Sequence, residues 1–388
     1  GRYLMALTID AAFAARNFEE LYGYSPVGVW SAPGRANLIG EHTDYNAGLV
    51  LPFAINRRTF AAIGLRTDGT VRVASEGFHG VIEVDFGVQS TPALEGWSAY
   101  PLGVVQVLSE LTGHAVEGFD IYLASDVPTG AGLSSSAAIE CAVAVALNDI
   151  WDAGLSRSDI ALAGQRAENT VVGAPTGFMD QFASMFGEPD SAIFLDCRSM
   201  DVRAVPLGLG DFEVLVMDTQ EKHSHATGGY ASRRKACDSA VDVMGVSTLR
   251  DITTDMLDEA QQKLDEETFR RVKHVVTENI RVENAVTAFG ARDFEAIGEL
   301  FAASHASMRD DFEISTPALD LAVESSLEAG AVAARMTGGG FGGAAIALVA
   351  SAQVPEVMSA VTEAFTAAGY QPPLQFTVVP SQGARRDI

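Results

Sequence analysis

The chain has 388 residues, 47% of them hydrophobic, which is enough for a sizeable core and, at roughly 100–200 residues per domain, for two domains. Its 51 acidic residues against 26 basic ones leave a net charge of −25, which argues against a protein that holds nucleic acid through a broad positive face. An anionic nucleotide stays open, because backbone N–H groups, a helix end and a metal are enough to hold phosphate.

In chain order, residues 27–32 and 49–55 read as strands. Residues 59–66 and 70–75 flank Asp68-Gly69, which predicts a hairpin between them. Helical spacing runs from Trp97 to Leu111, and residues 119–124 read as a strand before a Pro/Gly/Ser loop at 125–135. A helix of small apolar residues follows to about Ile150. Glu140 and Asn148 interrupt its apolar run, so it does not read as a membrane span. Ser156 and Asp159 have capping-box spacing and open a helix that Gly173 and Pro175 end. A shorter helix spans about 179–186.

Pro206-Leu-Gly-Leu-Gly210 is the expected boundary, dividing the chain into 1–205 and 206–388. Beyond it come a strand at 212–217, about a hundred mostly helical residues, strands at 331–336 and 344–350, a helix at 355–367 and a strand at 374–379. With the intervening helices as one layer this is a β-α-β-β-α-β order, and predicts a ferredoxin-like second domain. Cys141, Cys197 and Cys237 are far apart and odd in number, which argues against a zinc or disulfide framework and fits a reducing, cytoplasmic setting.

Three segments carry the chemistry. Gly130-Ala131-Gly132-Leu133-Ser134-Ser135-Ser136 lies between a strand and a helix, where free N–H groups and the positive dipole end favour an anion. A glycine-rich turn with a serine cap would look similar, but three serines and an all-small helix shift the balance toward phosphate. Arg335-Met-Thr-Gly-Gly-Gly-Phe-Gly-Gly343 contains G-x-G-x-x-G, yet a strand rather than a helix follows it, so a dinucleotide site fails its own test. Gly34-Arg35 and Glu41-His42-Thr43-Asp44 lie in the third segment, where carboxylates can accept from sugar hydroxyls and an imidazole can donate. Alone, Glu41, His42 and Asp44 would read as a solvated loop, Asp180 as a helix-start residue and Glu168 as an exposed helix face.

Together these segments resemble the galactokinases of the GHMP small-molecule kinase family. G-R-A-N-L-I-G-E-H-T-D-Y-N at 34–46 resembles the galactokinase signature, and P-T-G-A-G-L-S-S-S-A-A at 128–138 and R-M-T-G-G-G-F-G-G at 335–343 are similar to the family's second and third motifs. The resemblance implies an α+β, two-domain GHMP kinase fold, with a mixed α/β N-terminal domain, a ferredoxin-like C-terminal domain and the active site in the cleft between them. It implies transfer of the γ-phosphoryl group of ATP to the C1 hydroxyl of D-galactose, giving α-D-galactose 1-phosphate in the first committed step of the Leloir pathway. Asp180 is then the base, with Arg35 beside it. Glu41, His42, Asp44, Gly177, Asp180 and Tyr230 hold the sugar. Gly130, Ala131, Gly132, Leu133, Ser134, Ser135 and Ser136 cradle ATP, with Ser75, Trp97 and Tyr100 toward adenine. Ser136 (or Ser135) and Glu168 hold Mg2+. The partners implied are small molecules alone, and the expected state is a monomer with a dimer as alternative.

The chain departs from the family pattern at Gly229, where Glu is usual, and at Asp218, where Asn is common, both expected on the sugar side of the 222–230 loop. The rival readings are a kinase for another sugar such as N-acetylgalactosamine, and a non-catalytic galactose/ATP sensor. Some such sensors lack residues of the second motif, whereas Ser134, Ser135, Ser136 and Ala137 are all present here.

Overall fold

The computed structural model describes residues 8–86, 94, 96–221 and 226–388. In the first domain α1 (Ala11–Tyr22) precedes β1 (Gly28–Asn37), β2 (Leu49–Val50), β3 (Pro52–Leu65), β4 (Thr70–Ser75) and β5 (Ile82–Asp85). Then come α2 (Ala99–Thr112), β6 (Phe119–Ser125), α3 (Ser135–Ile150), α4 (Arg157–Ala167), α5 (Met179–Phe186), β7 (Ser191–Asp196) and β8 (Asp201–Pro206). Asp10 caps α1 by accepting from the Phe13 N–H, and Ser156 and Asp159 form the reciprocal capping box expected at α4. At Glu168 the helix widens into one π turn that runs to Val172 before Gly173 stops it. Such single turns recur at functional sites.

The expected hairpin at Asp68-Gly69 does not form. The main sheet runs β1-β3-β6-β4-β5, so β6 lies between β3 and β4. Leu65 of β3 and Val71 of β4 both register with Phe119, and the Gly69 N–H donates to Glu117 O. The turn therefore straddles a third strand, and its local chemistry could not report that the pairing is filled from fifty residues away. One face of the sheet packs α1, through Phe13 and Phe18 against Phe60, Tyr122 and Ala124. The other face packs the helices that carry the site, around Leu102, Val105, Cys141 and Phe182. β2, β7 and β8 form a separate small antiparallel sheet.

The second domain opens with β9 (Phe212–Asp218). It continues through α6 (Ala226–Met244), α7 (Leu257–Lys263), α8 (Glu266–Gly290), α9 (Phe294–Asp310) and α10 (Pro317–Glu328). It closes with β10 (Ala333–Thr337), β11 (Ala344–Ala350), α11 (Val354–Ala367) and β12 (Leu374–Val378). Its sheet order is β10-β11-β9-β12 and every pair is antiparallel, which is the ferredoxin-like arrangement expected from the order of elements.

Several features join the domains. After β12 the chain crosses back, and β13 (Arg385–Arg386) pairs with β1 at the edge of the first sheet. An apolar cluster is also shared, with Leu38, Leu51 and Phe53 of one domain meeting Val216, Phe289 and Phe301 of the other. No helix among the described residues is long and apolar enough to cross a membrane.

Candidate active site

The three motifs, distant in sequence, touch one another in the cleft. Gly34 in β1 lies so close to the second motif that a Cβ there would stand 2.5 Å from Leu133 O, and the Arg35 N–H donates to the same carbonyl at 2.9 Å. Only glycine allows that approach. The third motif reaches the first through Thr337 Oγ1, which donates to Asn37 O at 2.9 Å, and through Gly338 N–H, which donates to Glu41 Oε2 at 3.2 Å.

A cavity of about 200 Å³ is lined by Arg35, Glu41, His42, Asp44, Gly177, Asp180 and Tyr230, together with Thr176, Met179, Gly338 and Gly339. Every residue expected around the sugar thus faces one space. Asp180 sits in the first turn of α5, and its Oδ1 accepts from Arg35 Nε at 2.7 Å. Arg35 Nη1 donates onward to Gly132 O at 2.6 Å, so one guanidinium spans the carboxylate and the second motif. The Asp180 side chain keeps 22% of its surface accessible, against 6% for Arg35, so the carboxylate is the exposed end of the pair.

Asp44 is buried. It accepts from the Met179 N–H at 3.1 Å and the Tyr45 N–H at 2.9 Å, while burial pushes its carboxyl above the usual range. A Cβ on Gly177 would overlap that carboxylate. Tyr230 lies against the Gly177 backbone, and its ring lies 4.9 Å from that of His42.

His42 takes a left-handed backbone, with φ 59°. Its Nε2 faces Gly339 O at 2.9 Å, and a carbonyl can only accept, so Nε2 carries the hydrogen and Nδ1 accepts from the Tyr45 hydroxyl at 2.7 Å. Burial holds the ring neutral, with its pKa lowered to about 3. The imidazole has therefore already given its one donor, and presents a shaped wall rather than a free N–H.

Glu41 is clamped from several sides. It pairs with the buried guanidinium of Arg335 and accepts from Asn37 Nδ2 at 2.8 Å. Glu278 of α8 holds the same turn from below, accepting from the Gly40 and Glu41 N–H groups at 3.2 and 3.3 Å and from Arg281 Nε at 2.6 Å. Burial opposes the charge on Glu278, but Arg281, His274 and Arg335 outweigh it and hold the carboxyl at about 2.

In the second motif Gly130 and Gly132 take positive φ, and Ser134 (φ 58°) turns the chain into α3. Behind it the Ser136 hydroxyl lies beside the Glu168 carboxylate and favours its charged form. Glu168 is 4% exposed rather than on an open helix face, and burial raises its pKa. Tyr100 lies close enough to Glu168 and Glu140 for their charge to raise its own pKa further after burial. Trp97 stacks on Phe78 with ring centroids 5.3 Å apart, beyond the end of β4 where Ser75 lies. Phe78 carries no motif and was not readable as a site residue.

The two departures separate. Asp218 does not border the sugar cavity. It lines another, of about 650 Å³, with Pro128, Thr129 and Gly130, because β9 ends against the second motif. Gly229 packs under Phe341 of the third motif, where a Cβ would stand 2.6 Å from the ring. Residues 222–225 of that loop lie outside the described residues.

The fold and this cleft define a GHMP kinase. The family pattern for the GHMP kinases N terminal domain matches residues 99–188, that for the GHMP kinases C terminal region matches 285–367, and the galactokinase galactose-binding signature matches 16–65. A galactokinase of Streptomyces coelicolor is 49% identical over 97% of this chain and 98% of its own length, and one of Mycobacterium tuberculosis is 42% identical over 92% and 98%. The chain belongs to the galactokinase family. The crystal structure of Lactococcus lactis galactokinase complexed with galactose superposes with a TM-score of 0.92 at 35% identity, covering 96% of this chain and 99% of that one. A mevalonate kinase, 16% identical with a TM-score of 0.68, shares the fold alone.

Proposed function

We propose that this enzyme phosphorylates D-galactose at its C1 hydroxyl with ATP, releasing α-D-galactose 1-phosphate and ADP. The observation that carries the reading is the Arg35–Asp180 pair, 2.7 Å apart, at the edge of a cavity lined by all the residues expected around a sugar. Asp180 takes the proton of the C1 hydroxyl as that oxygen bonds to the γ-phosphorus and the bond to the ADP oxygen breaks. Arg35 orients Asp180 through its 2.7 Å bond, and offsets charge on the transferring group. Asp44 accepts from sugar hydroxyls through the lone pairs its two backbone bonds leave free, Glu41 does so from its clamped position, and His42 and Tyr230 shape the wall. The loop from Gly130 to Ser136 takes the phosphates, and the Phe78–Trp97 stack with Tyr100 and Ser75 lies toward the base. Positioning and electrostatics dominate such transfers.

The donors fit a magnesium ion. Ser136 and Glu168 offer hydroxyl and carboxylate oxygens only, and beside them the buried Glu140 Oε2 has no hydrogen-bond partner. Ser136 and Glu168 would hold Mg2+, which when bound neutralises phosphate charge. All of these residues come from one chain, which suits a monomer, and three buried free cysteines suit a reducing cytoplasm.

An ADP-release assay with Mg-ATP across free sugars tests the reading. Turnover with galactose is expected. Turnover with N-acetylgalactosamine alone, or none with any sugar, overturns it.

A further inference from the structure

Glu140 and Gln181 belong to no role assigned above, yet both are wholly buried beside Glu168. The Gln181 amide nitrogen donates to Glu140 Oε1 at 3.0 Å and to Glu168 Oε2 at 2.9 Å. An amide NH2 has two hydrogens, and here each goes to a different carboxyl group. Three helical segments meet at this nitrogen: α3 brings Glu140, the π turn after α4 brings Glu168, and α5 brings Gln181. Gln181 follows Asp180 in the first turn of α5. Room for its side chain comes from α4, where a Cβ on Gly164 would press Gln181 Cγ at 3.1 Å.

We infer that Gln181 is a positioning residue, whose amide fixes the orientation of the Glu168 carboxylate and ties it to the turn that carries Asp180. The inference rests on the reading of Glu168 as a magnesium ligand. Glu168 Oε2 is held at 2.9 Å by this amide, without which its carboxylate would be free to turn to another rotamer. The Gln181 amide removes that freedom. Because residues 180 and 181 share one helical turn, the spacing between the base and the metal carboxylate is set by a rigid element rather than by two independent side chains. Outer partners that orient a ligating carboxylate commonly matter about 10–100-fold in metal affinity.

The test is direct Mn2+ binding, followed by electron paramagnetic resonance in the presence of ADP, with galactose affinity and the thermal midpoint measured alongside. Gln181→Met keeps the length of the side chain and removes both donors. It is expected to weaken Mn2+ binding at least about tenfold while galactose affinity stays within about twofold. Gly164→Ala removes no donor and only displaces the amide, so it should move Mn2+ binding in the same direction by less. This second variant decides the matter if Gln181→Met does not fold. Glu168→Gln separates the two readings. If it leaves Mn2+ binding unchanged, the metal assignment fails. If it weakens binding while Gln181→Met and Gly164→Ala do not, Glu168 stands and the positioning role of Gln181 is overturned. A parallel loss of galactose affinity in Gln181→Met would mark a general structural role, and would also overturn it.

Discussion

Arg35 stands between the Asp180 carboxylate and the Gly132 carbonyl, donating Nε to the first at 2.7 Å and Nη1 to the second at 2.6 Å. The guanidinium is therefore fixed at both ends, while Asp180 is held at one oxygen only. Asp180→Asn should cost on the order of 10²–10⁴ in kcat while nucleotide still binds, as shown by comparing turnover with a fluorescence titration of ATP. Near-normal kcat would sink the base assignment. Arg35→Lys cannot span both partners, and should cost about 10²-fold in kcat despite the retained charge.

Gly177 leaves the space that the Asp44 carboxylate fills. Any Cβ there overlaps the Asp44 carboxylate. Gly177→Ala should displace Asp44 and raise the KM for galactose by on the order of 10²-fold, leaving the KM for ATP within a few-fold. Equal changes in both constants would show that the substitution disturbs the fold rather than the sugar contact.

Arg335 and Glu41 are both fully buried, and the guanidinium also donates to Asn37 O and Leu38 O at 3.0 and 2.9 Å. Arg335→Met leaves Glu41 buried without its partner. Breaking such a pair from one side costs about 3–5 kcal/mol, measurable by urea unfolding. A loss below about 1 kcal/mol would mean that the pair contributes no more than a surface ion pair does.

His42 and His274 are buried and neutral, with pKa values lowered from 6.5 to about 3 and about 4. His274 donates Nε2 to Glu41 O at 3.1 Å and so supports the same turn. Below pH 6.5 the unfolded chain takes up these protons and the folded chain does not. Their contribution to stability is therefore present above pH 6.5 and is lost as pH falls toward 4 and 3. Between pH 5.5 and 4.5 each histidine should steepen the dependence by about 1.4 kcal/mol per pH unit. Buried carboxyls such as Asp44 act in the opposite sense, so the comparison must be differential. The unfolding free energy of His274→Gln should fall less steeply over that interval than that of the parent. An identical slope would rule out the assigned titration.

The sequence was readable wherever chemistry is local. The capping box of α4, the stop at Gly173, the β-α-β-β-α-β order and the strand-loop-strand setting of the third motif all depend on neighbours within a few residues, and each formed. The hairpin at Asp68-Gly69 did not, because β6 supplies a better-placed pairing partner for both strands. Residues that act through distant partners carried no signal. Glu278 reads as one more acid on a helix until Gly40 and Glu41 arrive from 238 and 237 residues away. Phe78 reads as an exposed aromatic and stays one, although Trp97 stacks on it. Asp180 rises above a helix-start residue only by resemblance, and its 2.7 Å bond to Arg35, 145 residues away, left no local trace.

The return of the chain from β12 to β13 makes the second domain, in topological terms, an insertion within the first. The returning segment runs directly along α5, with Gly383 N–H donating to Gly187 O and Ala384 N–H to Ser184 O, both at 2.8 Å. The helix that bears Asp180 is thus strapped at its far end by chain arriving from the other half of the molecule. Neither half can melt alone: losing the second domain slackens the strap and exposes the shared apolar cluster, while losing the first sheet releases β13. Calorimetry should therefore record one transition, with α5 failing as the whole molecule does.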